Sequence, residues 1–491
     1  MTYQDMISPS DALKFVYHES GLKYVRDTGR DAWLIISLRC SRMLAYGTIS
    51  LILALFFSAL EFSDFRIGLF MTLTLLGDVI LSAGLTLIAD RIGRRKVLLG
   101  GSFLMVCSGA IFALFENFWI LLVAAVIGVI SATGGDFGPF RAIEESTLSS
   151  LTTPKTRADV LAWYVTTASV GSAVGSELSG RLVSSLIARE GWTILDAYHA
   201  VFWVYSGIGV FNILFTLLLS RKCELSVQEE AETEESGTLL SNLEDRTEEG
   251  DEPRPADPPL SKSKKVAFAQ VSKETLFVMY KLWFLLVVDS LADGMVGYSL
   301  TVYYLDQKFS LSKSSLGDIV SISYFLSSFS TIFAGPLARR LGLINTMVFT
   351  HLPSSAAVLL FPAPSSVIIT VALFFLRTGL NNMDQAPRSA FLAAVVKEDE
   401  RTAVMGITST LRTLAATAGP TVTGVLAGQD RFWIAFVAAG TLRIAYDLGL
   451  WAMFVNMKLY QHEKTDVEEH YEEVDMREED SSSDSEGRAR N

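Results

Sequence analysis

The chain has 491 residues, of which half are hydrophobic, only 19% are charged and 30 are phenylalanine, and its mean hydropathy is +0.35. This composition excludes a soluble enzyme, gives no basis for nucleic-acid binding, and describes an all-α integral membrane protein in contact with a lipid bilayer. The net charge of −12 is localised: residues 223–260 hold thirteen Asp/Glu against Arg246 and Arg254, and residues 461–491 hold twelve against Lys464, Arg477, Arg488 and Arg490. Those stretches carry −11 and −8, which leaves +7 on the remainder, so the acidity belongs to solvated segments and not to a substrate site.

In chain order, the first thirty residues are polar and mixed in charge, without the features of a signal peptide, and the first apolar helix is expected to be a retained anchor. Apolar runs bounded by charged residues or by Pro, Gly and Asn predict spans at 34–60, 65–89, 97–115, 117–147, 159–187, 197–220, 274–305, 314–338, 343–361, 365–394, 402–428 and 431–457. Most reach the roughly 20 residues needed to cross a hydrocarbon core of about 30 Å. The expected organisation is a cytoplasmic segment 1–33, a six-helix bundle 34–220, a linker 221–273, a second six-helix bundle 274–457 and a tail 458–491. Orientation follows from Lys and Arg in short loops. Those after spans 2, 4, 8 and 10 hold Arg91, Arg94, Arg95, Lys96, Lys155, Arg157, Arg339, Arg340, Lys397 and Arg401; the opposite loops hold Arg66, Arg189, Lys308, Lys313 and Arg431. Ten against five places the first set, and both termini, in the cytoplasm.

The linker is acidic at its centre, contains Pro and has basic ends, and reads as disordered. Within it Glu235-Ser-Gly-Thr-Leu239-Leu240 fits an acidic di-leucine pattern that a sorting adaptor would read. Such a signal would direct the protein to a vacuole or lysosome-like membrane, the alternative being the plasma membrane. The tail, with Ser481–Ser483 and Ser485 among acidic residues, reads as solvated and without a fold of its own. Cys40, Cys107 and Cys223 form no CxxC pair, so neither a disulfide framework nor structural zinc is expected. The histidines, at 18, 199, 351, 462 and 470, show no metal spacing, and no GxxxxGKS/T sequence is present. No cofactor, metal or ATP-driven chemistry is expected.

The two halves repeat. Asp90-Arg91-Ile92-Gly93 after span 2 corresponds to Arg339-Arg340-Leu341-Gly342 after span 8, and Arg157 opens span 5 as Arg401 opens span 11. Gly175 and Gly180 match Gly419 and Gly424, while Gly134-Gly135-Asp136-Phe137-Gly138-Pro139-Phe140-Arg141 has a looser partner in Asn381 to Arg388. A repeat at about 245 residues implies a duplicated six-helix unit.

The basic hairpin Asp90-Arg91-Ile92-Gly93-Arg94-Arg95 resembles the loop between helices 2 and 3 of the major facilitator superfamily, with Thr86 where the family has Gly. Gly171-x-x-x-Gly175-Ser-x-x-Ser-Gly180 resembles the span-5 motif of proton-coupled exporters in that superfamily, and Gly419-Pro420-x-x-Thr-Gly424 is its counterpart in span 11. Gly138 to Glu144, with Asp384 to Arg388 and Glu400-Arg401-Thr402, look like a branch labelled as drug or metabolite exporters. The resemblance implies a monomeric twelve-helix transporter that moves a small molecule by alternating access, with a site near the midplane, span 10 along the cavity and span 12 at the periphery. It also implies that Asp90 meets the start of span 11, near Arg401, when the inner side is closed. By pseudo-symmetry Arg339 would then meet Asp159 at the start of span 5. Each gate contact would be worth about 1 kcal/mol at a wet surface, enough to bias two states severalfold.

Ionisable groups within spans cost several kcal/mol unless paired or hydrated, so each is a candidate. They are Asp78, Asp136, Arg141, Glu144, Glu177, Asp289, Asp293, Arg377, Asp384, Arg388, Arg412, Arg443 and Asp447. Asp384/Arg388 and Arg443/Asp447 have the i,i+4 spacing of self-neutralising pairs, which for the peripheral span 12 is a structural role. Asp289 and Asp293 put like charges on one helix face, where one is expected to hold a proton, unless Arg377 or Arg412 pairs with them. Glu177 is a second proton-carrier candidate. Trp163, Tyr164, Tyr303 and Tyr304 either stack on a ligand or anchor at the membrane interface. The expected function is secondary transport coupled to protons, antiport being the sense implied by the span-5 motif; a sensor of the same fold and a passive uniporter are the alternatives.

Overall fold

A computed structural model describes residues 22–128, 130, 139–153, 156–223, 273–396 and 400–455. Among the described residues, every expected span is occupied by one helix or by two helical stretches. A short α1 (Leu22–Thr28) precedes α2 (Arg30–Ala59), α3 (Asp64–Ile92), α4 (Arg94–Leu114), α5 (Phe118–Ile127) and α6 (Pro139–Leu151), the last two being the described parts of span 4. The first half ends with α7 (Arg157–Ile187) and α8 (Ile194–Leu217). The second half contains α9 (Lys273–Met295) and α10 (Tyr298–Phe309), α11 (Lys313–Thr331) and α12 (Ala334–Leu341), and α13 (Leu343–Leu360). It closes with α14 (Val367–Asn381) and α15 (Gln385–Val395) about a 3-10 turn, then α16 (Arg401–Ala427) and α17 (Phe432–Phe454).

Three of the second-half spans are interrupted among the described residues. Span 7 breaks before Gly297, which caps α10, span 8 bends by 44° between α11 and α12, and span 10 passes through the turn Asn382–Asp384. Each break frees backbone carbonyls inside a bilayer, where protein groups must take them up. The Val296 carbonyl accepts from Arg377 Nη2 at 2.6 Å and from Thr301 Oγ1 at 3.0 Å. Outward-facing Phe103, Trp119, Trp203, Phe284 and Ile368 are exposed, as lipid-facing side chains are. Of the two first-half helices α2 and α8, the apolar stretch of α2 is 72% buried and that of α8 only 39%, so α2 is central and α8 peripheral.

Helix pairing repeats between halves. In the first half α2 packs on α7 and α8, and α4 on α8; in the second, α9 packs on α16 and α17, and α13 on α17. The halves then join through α7 on α11 and, equivalently, α16 on α3. Gly93 and Gly342 occupy equivalent places as the residues before α4 and α13, with φ of +103° and +83°, which a side chain rarely tolerates. Gly180 lies against Gly317 and the Lys313 carbonyl, as Gly424 lies against Gly68 and the Asp64 carbonyl. Any side chain at Gly180 would meet the α11 backbone, so Gly180→Leu must move a helix. It is expected to raise the labelling rate of a Ser314→Cys reporter several-fold in a background without native cysteines; unchanged labelling would contradict this contact.

The joined end is the one opposite the basic loops. There Ser299 donates to the Ser50 carbonyl at 2.7 Å, Tyr303 to Asp64 at 2.6 Å and the Ser314 amide to Ser184 at 2.9 Å, while the Thr72 and Thr421 hydroxyls meet at 2.7 Å. Two aromatic clusters back this seal: Phe56, Phe57, Phe70, Phe112 and Phe202 in the first half, and Tyr304, Phe361, Phe432 and Phe436 in the second.

Candidate functional site

The second half holds a charge network drawn from five spans. On α9, Asp293 Oδ1 is 2.9 Å from Arg443 Nη1 of α17; the aspartate side chain is 36% exposed and the arginine fully buried. Arg443 also reaches Asn381 of α14 and lies 2.6 Å from His351 Nε2 of α13. A guanidinium only donates, so Nε2 must accept, and the ring proton belongs on Nδ1, which donates to Asp447 Oδ1 at 2.7 Å. Ser355 donates to the other Asp447 oxygen at 2.8 Å. One helical turn before Asp293, Asp289 is wholly buried, with Arg388 Nη1 at 3.6 Å and His351 Nε2 at 3.7 Å. Neither of its oxygens has a hydrogen bond. Arg388 is paired with Asp384. Arg412 Nε donates to Ser290 at 3.1 Å, and Arg377 adds the Thr301 hydroxyl at 3.2 Å to its bond with the Val296 carbonyl.

This arrangement corrects several expectations. Arg443 and Asp447 form no ion pair with each other; both contact His351 of α13, and Arg443 adds Asp293 and Asn381, so they tie α17 into the core and span 12 is more than peripheral packing. Arg443 pairs with Asp293 and Arg388 lies 3.6 Å from Asp289, while Arg377 and Arg412 form no ion pair with either carboxylate. Asp384 and Arg388 do pair within their own helical stretch. His351, considered only for metal spacing, is the hub; a histidine two residues before Pro353 in an apolar span was the signal for it.

The first half has a smaller network. Glu144 of α6 is buried and accepts from Arg42 Nη1 at 2.7 Å and from Tyr164 Oη at 2.8 Å. Buried Arg39 stacks over the Tyr164 ring at 5.2 Å, and Arg42 over Phe140 at 4.7 Å. Arg39 and Arg42, three residues apart on one face of α2, were missed because they lie near the end of their span. Arg141 makes a half-exposed pair with Glu145 at 2.7 Å. Asp78 of α3 is only 2% exposed and neither oxygen has a hydrogen bond. Asp136 lies outside the described residues, as do Glu235, Leu239 and Leu240.

Glu177 is not enclosed. It accepts from Arg181 at 2.7 Å, and Arg181 reaches Asp318 of α11 at 2.9 Å, with all three side chains substantially exposed. The geometry gives Glu177 a bridging place between halves in place of a sequestered proton site. Tyr164 and Tyr303 are buried and bonded to Glu144 and Asp64, and Tyr304 packs among Phe361, Phe432 and Phe436. Gly171 and Gly175 lie against the α2 backbone at Cys40 and Leu44, and Gly419 against Gly294 and Met295 of α9, while the Pro420 carbonyl meets Gly68.

At the basic end, Asp159 in the first turn of α7 and exposed Arg339 and Arg340 on α12 are described, and Asp159 forms no ion pair with either arginine. Arg94 is buried at the start of α4. The side chains of Asp90, Arg91 and Arg401 lie outside the described residues.

Residues 35–280 and 282–474 match the family described as Major Facilitator Superfamily. A membrane protein of Saccharomyces cerevisiae (strain ATCC 204508 / S288c), itself uncharacterized, is 34% identical over 431 residues, 87% of this chain and 95% of its own length. Among solved structures, the fold is similar to the nucleoside transporter NupG, with a TM-score of 0.65 at 13% identity over 87% of this chain and 100% of that one. It is similar also to a bacterial homolog of the human lysosomal transporter Spinster in an inward-facing, unoccupied conformation, with a TM-score of 0.61 at 14% identity over 87% of this chain and 95% of that one. The inward-open xylose transporter XylE from E. coli gives 0.62 at 12% over 88% of this chain and 98% of that one. With two matched halves, paired helices and a family match over most of its length, the chain belongs to the major facilitator superfamily of membrane transporters.

Proposed function

We propose that this chain is a proton-coupled secondary transporter with twelve spans, six per half, and both termini in the cytoplasm. Asp289 is the observation that carries the reading. A carboxylate enclosed in the membrane-spanning core, without a hydrogen bond and one turn from a carboxylate that is 36% exposed, is placed to take and release a proton. Asp293, held by Arg443, would exchange that proton with the cleft, and Asp78 offers a second enclosed carboxylate in the other half. The basic-loop count makes the joined end extracytoplasmic, so the conformation is inward-open. The Asp90–Arg401 and Arg339–Asp159 contacts would then belong to the opposite state, in line with the unformed contact between Asp159 and Arg339.

The span-5 resemblance to exporters supports antiport of a drug or metabolite by a monomer. The di-leucine pattern supports a vacuolar or lysosome-like membrane, with the acidic linker 221–273 and tail 458–491 as cytoplasmic segments. Sealed proteoliposomes containing a trapped pH-sensitive dye test the coupling when nucleosides, sugars, peptides or organic acids are added outside. Proton movement tied to solute flux is expected, with outward movement on uptake marking antiport and inward movement symport. Flux without proton movement would make the chain a uniporter, and binding without flux a sensor; either result overturns the reading.

A further inference from the structure

We infer that the cleft takes a small organic anion, a carboxylate- or phosphate-bearing solute, held by Arg377 and Arg412. The inference rests on the transport reading above. Of the four second-half arginines in the network, the two that are buried are neutralised: Arg388 by Asp384, and Arg443 by Asp293. The two that are partly buried, Arg377 and Arg412, form no ion pair among the described residues and donate to neutral oxygens, at Val296, Thr301 and Ser290.

Their placement along α9 is regular. Arg412 is anchored at Ser290, Arg443 at Asp293 and Arg377 at Val296. Ser290 and Asp293 lie three residues apart on α9, about 4.5 Å in rise, and Val296 follows in the break just beyond the helix. Both uncompensated cations lie within electrostatic reach of Asp293, the carboxylate open to the cleft. With Asp293 paired to Arg443 and Asp384 to Arg388, Arg377 and Arg412 are the arginines of the network left without an ion pair, and the four arginines against Asp289, Asp293, Asp384 and Asp447 become net positive when Asp289 carries its proton. Low-dielectric walls focus that field into the cleft and enrich anions there over cations. A guanidinium keeps free N–H donors in a planar fork even while bonded to one carbonyl or hydroxyl, and carboxylate and phosphate oxygens match that fork. On the facing half Arg42 is paired with Glu144 and Arg39 stacks over the Tyr164 ring.

The test uses the full chain in detergent or nanodiscs and thermal unfolding at constant ionic strength. The probes are succinate, citrate and glucose 6-phosphate, against xylose, uridine, lysine and choline. Protection by at least one of the anions, and by none of the neutral or cationic probes, is the expected result. Arg412→Gln and Arg377→Gln should each weaken the apparent Kd for that anion about tenfold or more, the size of one charge-assisted hydrogen bond. Arg412→Lys should retain part of the affinity, which a merely structural role at Ser290 would not require. If a glutamine variant fails to fold, the lysine variant and the unsubstituted chain still decide. Protection by neutral or cationic probes alone, protection unchanged in the glutamine variants, or no protection by any of the three anions overturns the inference. Proton-driven flux of a neutral or cationic solute would overturn it while the transport reading stands. Anion binding without flux would do the reverse.

Discussion

Arg443→Leu is expected to destabilise the folded protein by about 3–5 kcal/mol, because it removes one partner of a buried ion pair and leaves the other charge in place. The guanidinium is fully buried and serves Asp293, His351 and Asn381 at once. Its loss leaves an imidazole lone pair and an amide oxygen unpaired around a buried site and the partly exposed Asp293 carboxylate without its counter-ion. Adding Asp293→Asn should recover part of the loss, since no full charge is then left without a counter-ion on that branch. Unfolding in mixed micelles, followed by helix content against denaturant, checks both variants. A loss below about 1 kcal/mol for Arg443→Leu would show that water or a neighbouring group already solvates the site.

The second large effect belongs to Asp289. Asp289→Asn removes the enclosed carboxylate proposed as proton acceptor while keeping its shape, and proton-driven flux in sealed vesicles should fall by about two orders of magnitude, the low end for loss of a positioned proton-transfer group. Exchange of solute for solute, which needs no net proton movement, should continue. Asp293→Asn is expected to impair both, since Asp293 is open to the cleft and holds Arg443. Glu177→Gln should leave driven flux in place, because its carboxylate is exposed and shared with Arg181 at the joint between the halves. Driven flux surviving in the Asp289→Asn variant would remove this carboxylate from the coupling path.

Much of the architecture was legible because bilayer physics writes it in simple terms. Spans are long apolar runs, loops carry their charge asymmetrically, and close helix contacts need glycine, so Gly180 and Gly424 disclosed the duplication before any contact was known. The breaks were not legible: Gly297 and Asn382 sit in apolar runs much like the glycines and polar residues of unbroken helices. Only the carbonyl bonded by Arg377 shows where a break is stabilised. The charged residues were legible as a set but not as partners. The i,i+4 spacing of Arg443 and Asp447 makes a local pair available, yet His351 and Asp293 on other helices lie closer in space and take both. Glu177 shows the opposite failure, a carboxylate among packing glycines that looks enclosed in sequence but points to the exposed joint. His351 was passed over because histidine was weighed only as a metal ligand.

The central claim is that two halves rock about this network, closed at one end when open at the other. Distances between spin labels at both ends measure it directly and need no substrate. Thr153→Cys with Leu341→Cys reports the basic end, and Arg189→Cys with Gln307→Cys the joined end, in a background without native cysteines. Lowering the pH to protonate the cleft carboxylates should shift the two distance distributions in opposite directions, the basic-end pair shortening in the same fraction of molecules in which the other pair lengthens. Distances that stay fixed, or that lengthen at both ends together, would contradict the account.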